Sequence, residues 1–152
     1  METPSFTFRL ERVRGLRVQA EDQAREELAN ELSLRMRGEA MLIEAAQRAE
    51  AARRVGLATV VGGTTGPDML AAQAWIERSE RRRLDAALEL DRRDEQVSAR
   101  RQSLLEASRE RQAIDKLAER REAEHMREWS RRAQGELDEV ALAVHRRGSA
   151  VR

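Results

Sequence analysis

The chain contains no cysteine and no tyrosine, and only two Phe and two Trp among its 152 residues. Without cysteine there are no disulfides, no thiolate metal sites and no thiol catalysis. Scarce aromatics remove the large side chains that fill a deep core, leaving an apolar set of mostly Ala, Leu and Val that suits a narrow seam between helices. No stretch reaches the roughly 18 apolar residues of a membrane span. The N-terminus, Met1-Glu2-Thr3-Pro4-Ser5-Phe6, has an acid where a signal peptide wants basic residues and no apolar run behind it, so a cytoplasmic protein is expected. An excess of one charge sign is also missing: 29 basic and 28 acidic groups leave +1. That balance disfavours a polyanion binder, so no nucleic-acid partner is expected.

What is present is Ala, Glu, Arg, Leu and Gln, all strong helix formers. One interruption divides the chain, Gly62-Gly63-Thr64-Thr65-Gly66-Pro67-Asp68, a turn over residues 62–68 with Asp68 as the candidate N-cap of a second helix. The spacing predicts a first helix from about Ser5, capped by Ser5, to Val61. Its seam runs through Phe6, Leu10, Val13, Ala20, Ala24, Leu28, Leu32, Met36, Ala40 and Ile43. The second helix is predicted from about Met69 to Arg147, with a frayed tail over 148–152. Its seam includes Ile76, Leu84, Leu88, Val97, Leu104, Ile114, Leu117, Trp129, Ala133, Leu137, Val140 and Val144, and is almost bare between Asp91 and Arg101. Neither helix can leave its seam in water, and a short connection favours antiparallel neighbours. The predicted fold is therefore all-α: one coiled-coil domain, an antiparallel hairpin of two long helices with unequal arms of about 85 and 120 Å. Pairing the regions richest in large apolar groups puts Phe6, Leu10 and Val13 against Leu137, Val140 and Val144. The surplus length then falls as an overhang or bend among residues 69–100.

Signals of chemistry are weak. The glycine cluster lacks the Lys and Ser or Thr of a phosphate loop, since Pro67 and Asp68 come directly after Gly66. His125 and His145 lie twenty residues apart with no metal-ligand pairing. The acids are helix-surface charges interleaved with Arg, and a two-helix hairpin encloses nothing that would shift a carboxylate toward acid–base work. The Arg pairs lack the uninterrupted basic run and interleaved aromatics of a nucleic-acid binder. No enzyme, cofactor or metal is expected. Two features point to partners instead. Residues 1–20 hold four Arg and two Glu, and residues 131–152 five Arg and three acids. A basic tip carrying Arg9, Arg12, Arg146 and Arg147 is thus a candidate docking end for an acidic partner. Trp75, a rare aromatic just after the turn, is a candidate binding anchor.

The ends of the chain carry a resemblance. Phe6-Thr-Phe-Arg-Leu-Glu-Arg-Val13, with the Ala- and Glu-rich run to Ala29, resembles the N-terminus of the flagellar export protein family FliJ. The segment Ala123-Glu-His-Met-Arg-Glu-Trp-Ser-Arg-Arg-Ala-Gln-Gly-Glu-Leu-Asp-Glu-Val-Ala141 resembles its C-terminal region, most visibly at Glu136, Asp138, Glu139 and Ala141. The resemblance implies a component of the flagellar type III export apparatus. Its implied partners are the export ATPase (FliI), whose ring it would enter as a rotary-ATPase stalk does, the export gate protein (FlhA), and export chaperones. Membrane association would be peripheral, through those partners, at the cytoplasmic face of the inner membrane. Aligned on Trp75, the family's gate-binding stripe continues through Ser79, Arg82 and Ala86; Ser79 and Arg82 depart from its apolar character, so Trp75 alone is carried over. The ATPase-ring end is assigned to Phe6, Arg9, Leu10, Arg12, Val13, Leu137, Val140, Arg146 and Arg147. The stalk of a related virulence-type secretion system is the nearest alternative, and a nucleic-acid-binding coiled coil a more distant one.

Overall fold

The computed structural model describes residues 5–63 and 65–149. It contains two helices, α1 (Glu11–Val61) and α2 (Gly66–Ser149), packed against each other as a hairpin, with no strand among the described residues. No described helix is long and apolar enough to cross a membrane.

The hairpin turns where the glycines stand. Gly63 takes φ +70°, the left-handed value that only glycine adopts freely, and Gly62 N–H donates to the Ala58 carbonyl at 2.9 Å. Thr65, rather than Asp68, occupies the N-cap position of α2. Its carbonyl accepts from Met69 N–H at 3.2 Å, and its hydroxyl donates to the Asp68 carboxylate at 2.5 Å. Pro67 explains the earlier start, because a residue without an N–H is tolerated in a first turn and not deeper. Asp68 still sits in that turn, where a negative charge suits the helix dipole.

The other end of α1 also differs from expectation. The helix begins at Glu11, not near Ser5; Glu11 N–H closes a turn on the Phe8 carbonyl at 3.1 Å. Residues 5–8 lie outside any helix, and the Phe6 ring leans on His125 instead, with centroids 5.6 Å apart and tilted by 43°. The tail residues 150–152 lie outside the described residues, as do Pro4 and Thr64.

The chain divides into two compact units. The first to consider, Asp22–Glu106, holds the turn. Here α1 presents small residues: Gly38, Ala49, Ala52 and Gly56 are buried along one side, and Ser79 and Val97 are buried on α2. A Cβ on Gly56 would stand 2.6 Å from Ile76 Cδ1, and one on Gly38 would stand 3.7 Å from Leu90 Cδ1. Small residues let the backbones approach, and the aliphatic ends of the facing side chains fill the gap. The buried side of α1 thus passes from Leu32 through Arg35, Gly38 and Leu42 to Ala45, leaving Met36 and Ile43 exposed. On α2, Leu84 and Leu88 are likewise exposed, while Ile76, Arg83, Ala86 and Leu90 are at least half-buried.

Residues 91–101, which the sequence leaves almost bare, are paired rather than beyond reach of α1. Val97 is 3% exposed. Around it run three charged cross-helix contacts: Arg93 to Glu31 at 3.1 Å, Arg35 to Asp94 at 2.5 Å, and Arg100 to Glu27 at 2.7 Å. Arg53 pairs with Glu80 nearer the turn. Across these pairs the α2 partner moves from 80 to 100 as the α1 partner moves from 53 to 27, the register of an antiparallel pair. No overhang or bend is needed over 69–100, because a tight turn brings residues equally distant from it face to face.

The second unit comprises 1–21 and 107–152. Glu21 is only 4% exposed, and Arg111 neutralises it while holding Asp115 at 2.6 Å. Asp115 also accepts from Arg14 Nε at 2.7 Å, which raises the Arg14 pKa above its ordinary value, first through that hydrogen bond and then through the attraction of the two charges. Arg17 meets Glu110 at 2.5 Å. Ala118 is buried, Leu117 half-buried, and Phe6 closes over His125, whose Nε2 is buried without a hydrogen-bond partner.

Past that point α2 continues to Ser149, about 36 Å of helix after His125. Phe6 and Leu10 therefore lie beside Leu117, Arg121 and His125, and not beside Leu137, Val140 and Val144 as the apolar matching predicts. The surplus of the longer arm falls at the C-terminal part of α2.

Candidate partner-docking surfaces

Three surfaces stand out, one in the turn-bearing unit and two in the other. In a chain that is 38% charged, residues 55–76 carry a single charge, Asp68. Water-exposed helix faces normally carry charge in such a protein. Here Leu57, Val60, Val61, Met69 and Leu70 are exposed instead, Val61 by 80%. Trp75 continues this surface and is 39% exposed, while its neighbour Ile76 turns inward to Gly56. Of the stripe aligned on Trp75, Ser79 is buried against α1. Arg82 and Ala86 line a cleft of about 330 Å³ with Met41, Ala45 and Arg48. Sequence reasoning singled out Trp75 and not its exposed apolar neighbours Leu57, Val60, Val61 and Leu70; the gap in charge over residues 55–76 is the signal that marks them.

The second surface lies where the N-terminal segment meets α2. Phe6, Arg9 and Leu10 border a cleft of about 520 Å³ with Leu117 and Arg121. Arg12 and Val13 come next, on the exposed side of the first turn of α1.

The third is the end of α2. Leu137, Val140, Leu142 and Val144 are all more than half exposed, and Met126 is exposed too. Met126, Trp129, Ala133, Leu137, Val140 and Val144 recur at steps of three and four, which places them on one face of the helix. The sequence-assigned ring end is therefore split. Phe6, Arg9, Leu10, Arg12 and Val13 lie at the Arg121–His125 level, whereas Leu137, Val140, Arg146 and Arg147 lie on α2 beyond it. Arg121 and Arg146 are separated by about 37 Å along the helix. The structure does not gather Arg9, Arg12, Arg146 and Arg147 into one basic tip. His125 and His145 are likewise separate, and no described group of three or more His, Cys, Asp or Glu side chains is arranged to hold a metal ion.

An all-α hairpin of two long packed helices belongs to the class of coiled-coil proteins. The family model described as flagellar FliJ protein matches residues 6–150, nearly the whole chain, and the chain belongs to the FliJ family. Membership makes it a component of flagellar protein export at the level of the family. No curated protein and no solved structure matches it significantly.

Proposed function

We propose that the chain is a non-catalytic link in flagellar type III export, joining the export ATPase ring to the export gate and assisting export chaperones. The observation that carries this reading is the pair of uncovered apolar surfaces: the nearly uncharged stretch 55–76 with Trp75, and the stripe Leu137, Val140 and Val144. Large exposed apolar surface is unfavourable unless a partner covers it. The turn-side surface, with Trp75 as its aromatic anchor, is assigned to the gate. The ring end is assigned to the N-terminal Phe6, Arg9, Leu10, Arg12 and Val13 together with Leu137, Val140, Arg146 and Arg147. A helix that enters a ring needs exposed apolar side chains, which Leu137 and Val140 supply. Its place in the cell would then be the cytoplasmic face of the inner membrane, held there by partners.

The test is affinity measurement of the purified chain against the export ATPase and against the cytoplasmic part of the gate. Trp75→Ala is expected to weaken gate binding at least tenfold, the loss of about 1.4 kcal/mol or more that an aromatic anchor supplies. ATPase binding should be unchanged. Normal gate binding by Trp75→Ala removes Trp75 from the docking surface.

A further inference from the structure

The apolar stripe at the end of α2 continues the seam that the N-terminal segment and α1 cover further back, and it has a symmetry of its own. Its members stand at 126, 129, 133, 137, 140 and 144. Counted outward from residue 135, Met126 and Val144 lie equally far on either side, as do Ala133 and Leu137; Trp129 and Val140 match within one residue. The pattern read backward therefore nearly overlays the pattern read forward. That is the requirement for an isologous two-fold contact, in which one patch binds a second copy of itself.

We propose that residues 126–149 of α2 pair antiparallel with the same segment of a second copy of this chain, about a two-fold axis at the level of residue 135 on the stripe face. Charge supports the same register. Arg132 and Glu139 lie on one flank of the stripe, and antiparallel pairing about residue 135 brings Arg132 within reach of Glu139 of the partner subunit. Such flanking charges set the orientation and partner choice of coiled coils. Within its own helix Arg132 has only a 3.8 Å contact to Glu128, with both side chains largely exposed, which is little to give up. Phe6 reaches α2 at His125, so the second copy begins to cover the seam close to where the described N-terminal segment meets it.

The stripe from Met126 to Val144 spans fewer than three heptads, and association costs entropy, so the pairing is weak, with a dissociation constant of about 10–100 µM. The inference rests on the seam and not on the assignment of the ring end. If both hold, self-pairing covers Leu137 and Val140 and excludes the ring from them.

The absence of cysteine gives a clean test. Met126→Cys and Val144→Cys are made separately in the full chain and oxidised alone and mixed. The mixture is expected to form a disulfide-linked dimer, and each variant alone to form far less, since equivalent positions in the antiparallel pair are about 27 Å apart along the axis. In sedimentation equilibrium the unmodified chain should rise toward dimer mass over that concentration range. Leu137→Asp should stay monomeric with unchanged helix content. Arg132→Glu and Glu139→Arg should each weaken association, and an equimolar mixture of the two should restore it. A chain monomeric to about 0.5 mM, well above that dissociation constant, overturns the proposal and leaves the stripe to another partner. Equal cross-linking of Met126→Cys alone and in the mixture overturns the antiparallel register.

Discussion

Ile76 Cδ1 lies where a Cβ on Gly56 would come within 2.6 Å, so the glycine is a packing residue and not a weak point of α1. A glycine in a helix interior costs about 1 kcal/mol relative to alanine. At Gly15, where an added Cβ meets nothing within 4 Å, Gly15→Ala should recover most of that, about 0.5–1 kcal/mol by urea unfolding. At Gly56 the same substitution must push the Ile76 tip aside, which offsets the gain. Gly56→Ala should give no stabilisation or a loss of about 1 kcal/mol, and adding Ile76→Val, which removes the clashing methyl, should recover the gain. Stabilisation by Gly56→Ala alone would show that the helices are not this close.

The Glu21–Arg111 pair should be worth more than the surface ion pairs. Glu21 is buried, and removing Arg111 takes away the cation that pairs with its carboxylate. Arg111 is about one-third exposed, so the full penalty of a buried pair is screened; Arg111→Ala is expected to cost about 2 kcal/mol. Glu44→Ala, which removes the exposed contact to Arg48 at 2.5 Å, should cost less than about 0.5 kcal/mol. Equal costs in thermal or denaturant unfolding would contradict the burial of Glu21.

The raised pKa of Arg14, and those of Arg35 beside Asp94 and Arg93 beside Glu31, bear on pH. A cation held above its ordinary pKa contributes stability that is complete below that ordinary value and is lost only as pH rises through the folded one. For arginine both lie in strong alkali. Replacing Arg35 by Met should therefore shift the unfolding midpoint by the same amount at pH 7 and pH 9. A difference that grows between those pH values would contradict this assignment.

The register of the hairpin can be read directly by cysteine pairs. A short thiol cross-linker should join Phe6→Cys to His125→Cys within one chain, whereas it should not join Phe6→Cys to Val140→Cys. The opposite result would restore the pairing suggested by apolar content.

That pairing illustrates what the sequence carries and what it hides. The break at Gly62 and Gly63 is legible because only glycine takes the left-handed conformation cheaply, and two long helices are implied by composition. The seam is harder to read, because apolar residues at steps of three and four occur on more than one face: Leu84 and Leu88 fit the spacing and are exposed, while Arg35, Arg83 and Arg93 do not and are half-buried. Long arginine stems lie along the seam and put their charge on acids across it, which hydropathy cannot register. Matching the largest apolar groups at the two ends was the wrong rule for the overhang. Counting outward from the turn brings Phe6 close to the Arg121–His125 level, and chain connectivity outweighs apolar content. Trp75 was visible as a rarity, whereas Leu57, Val60, Val61 and Leu70 show only against the surrounding density of charge.

If one chain holds two partners through separate surfaces, the immobilised cytoplasmic part of the gate should retain the export ATPase only when this chain is added. In that co-capture measurement, Leu70→Asp or Trp75→Ala is predicted to abolish retention by releasing the chain from the gate. Leu137→Asp should leave the chain on the gate and lose the ATPase alone. Loss of both partners by either single change in a folded chain, or competition between the two partners for the unmodified chain, would contradict the two-surface arrangement.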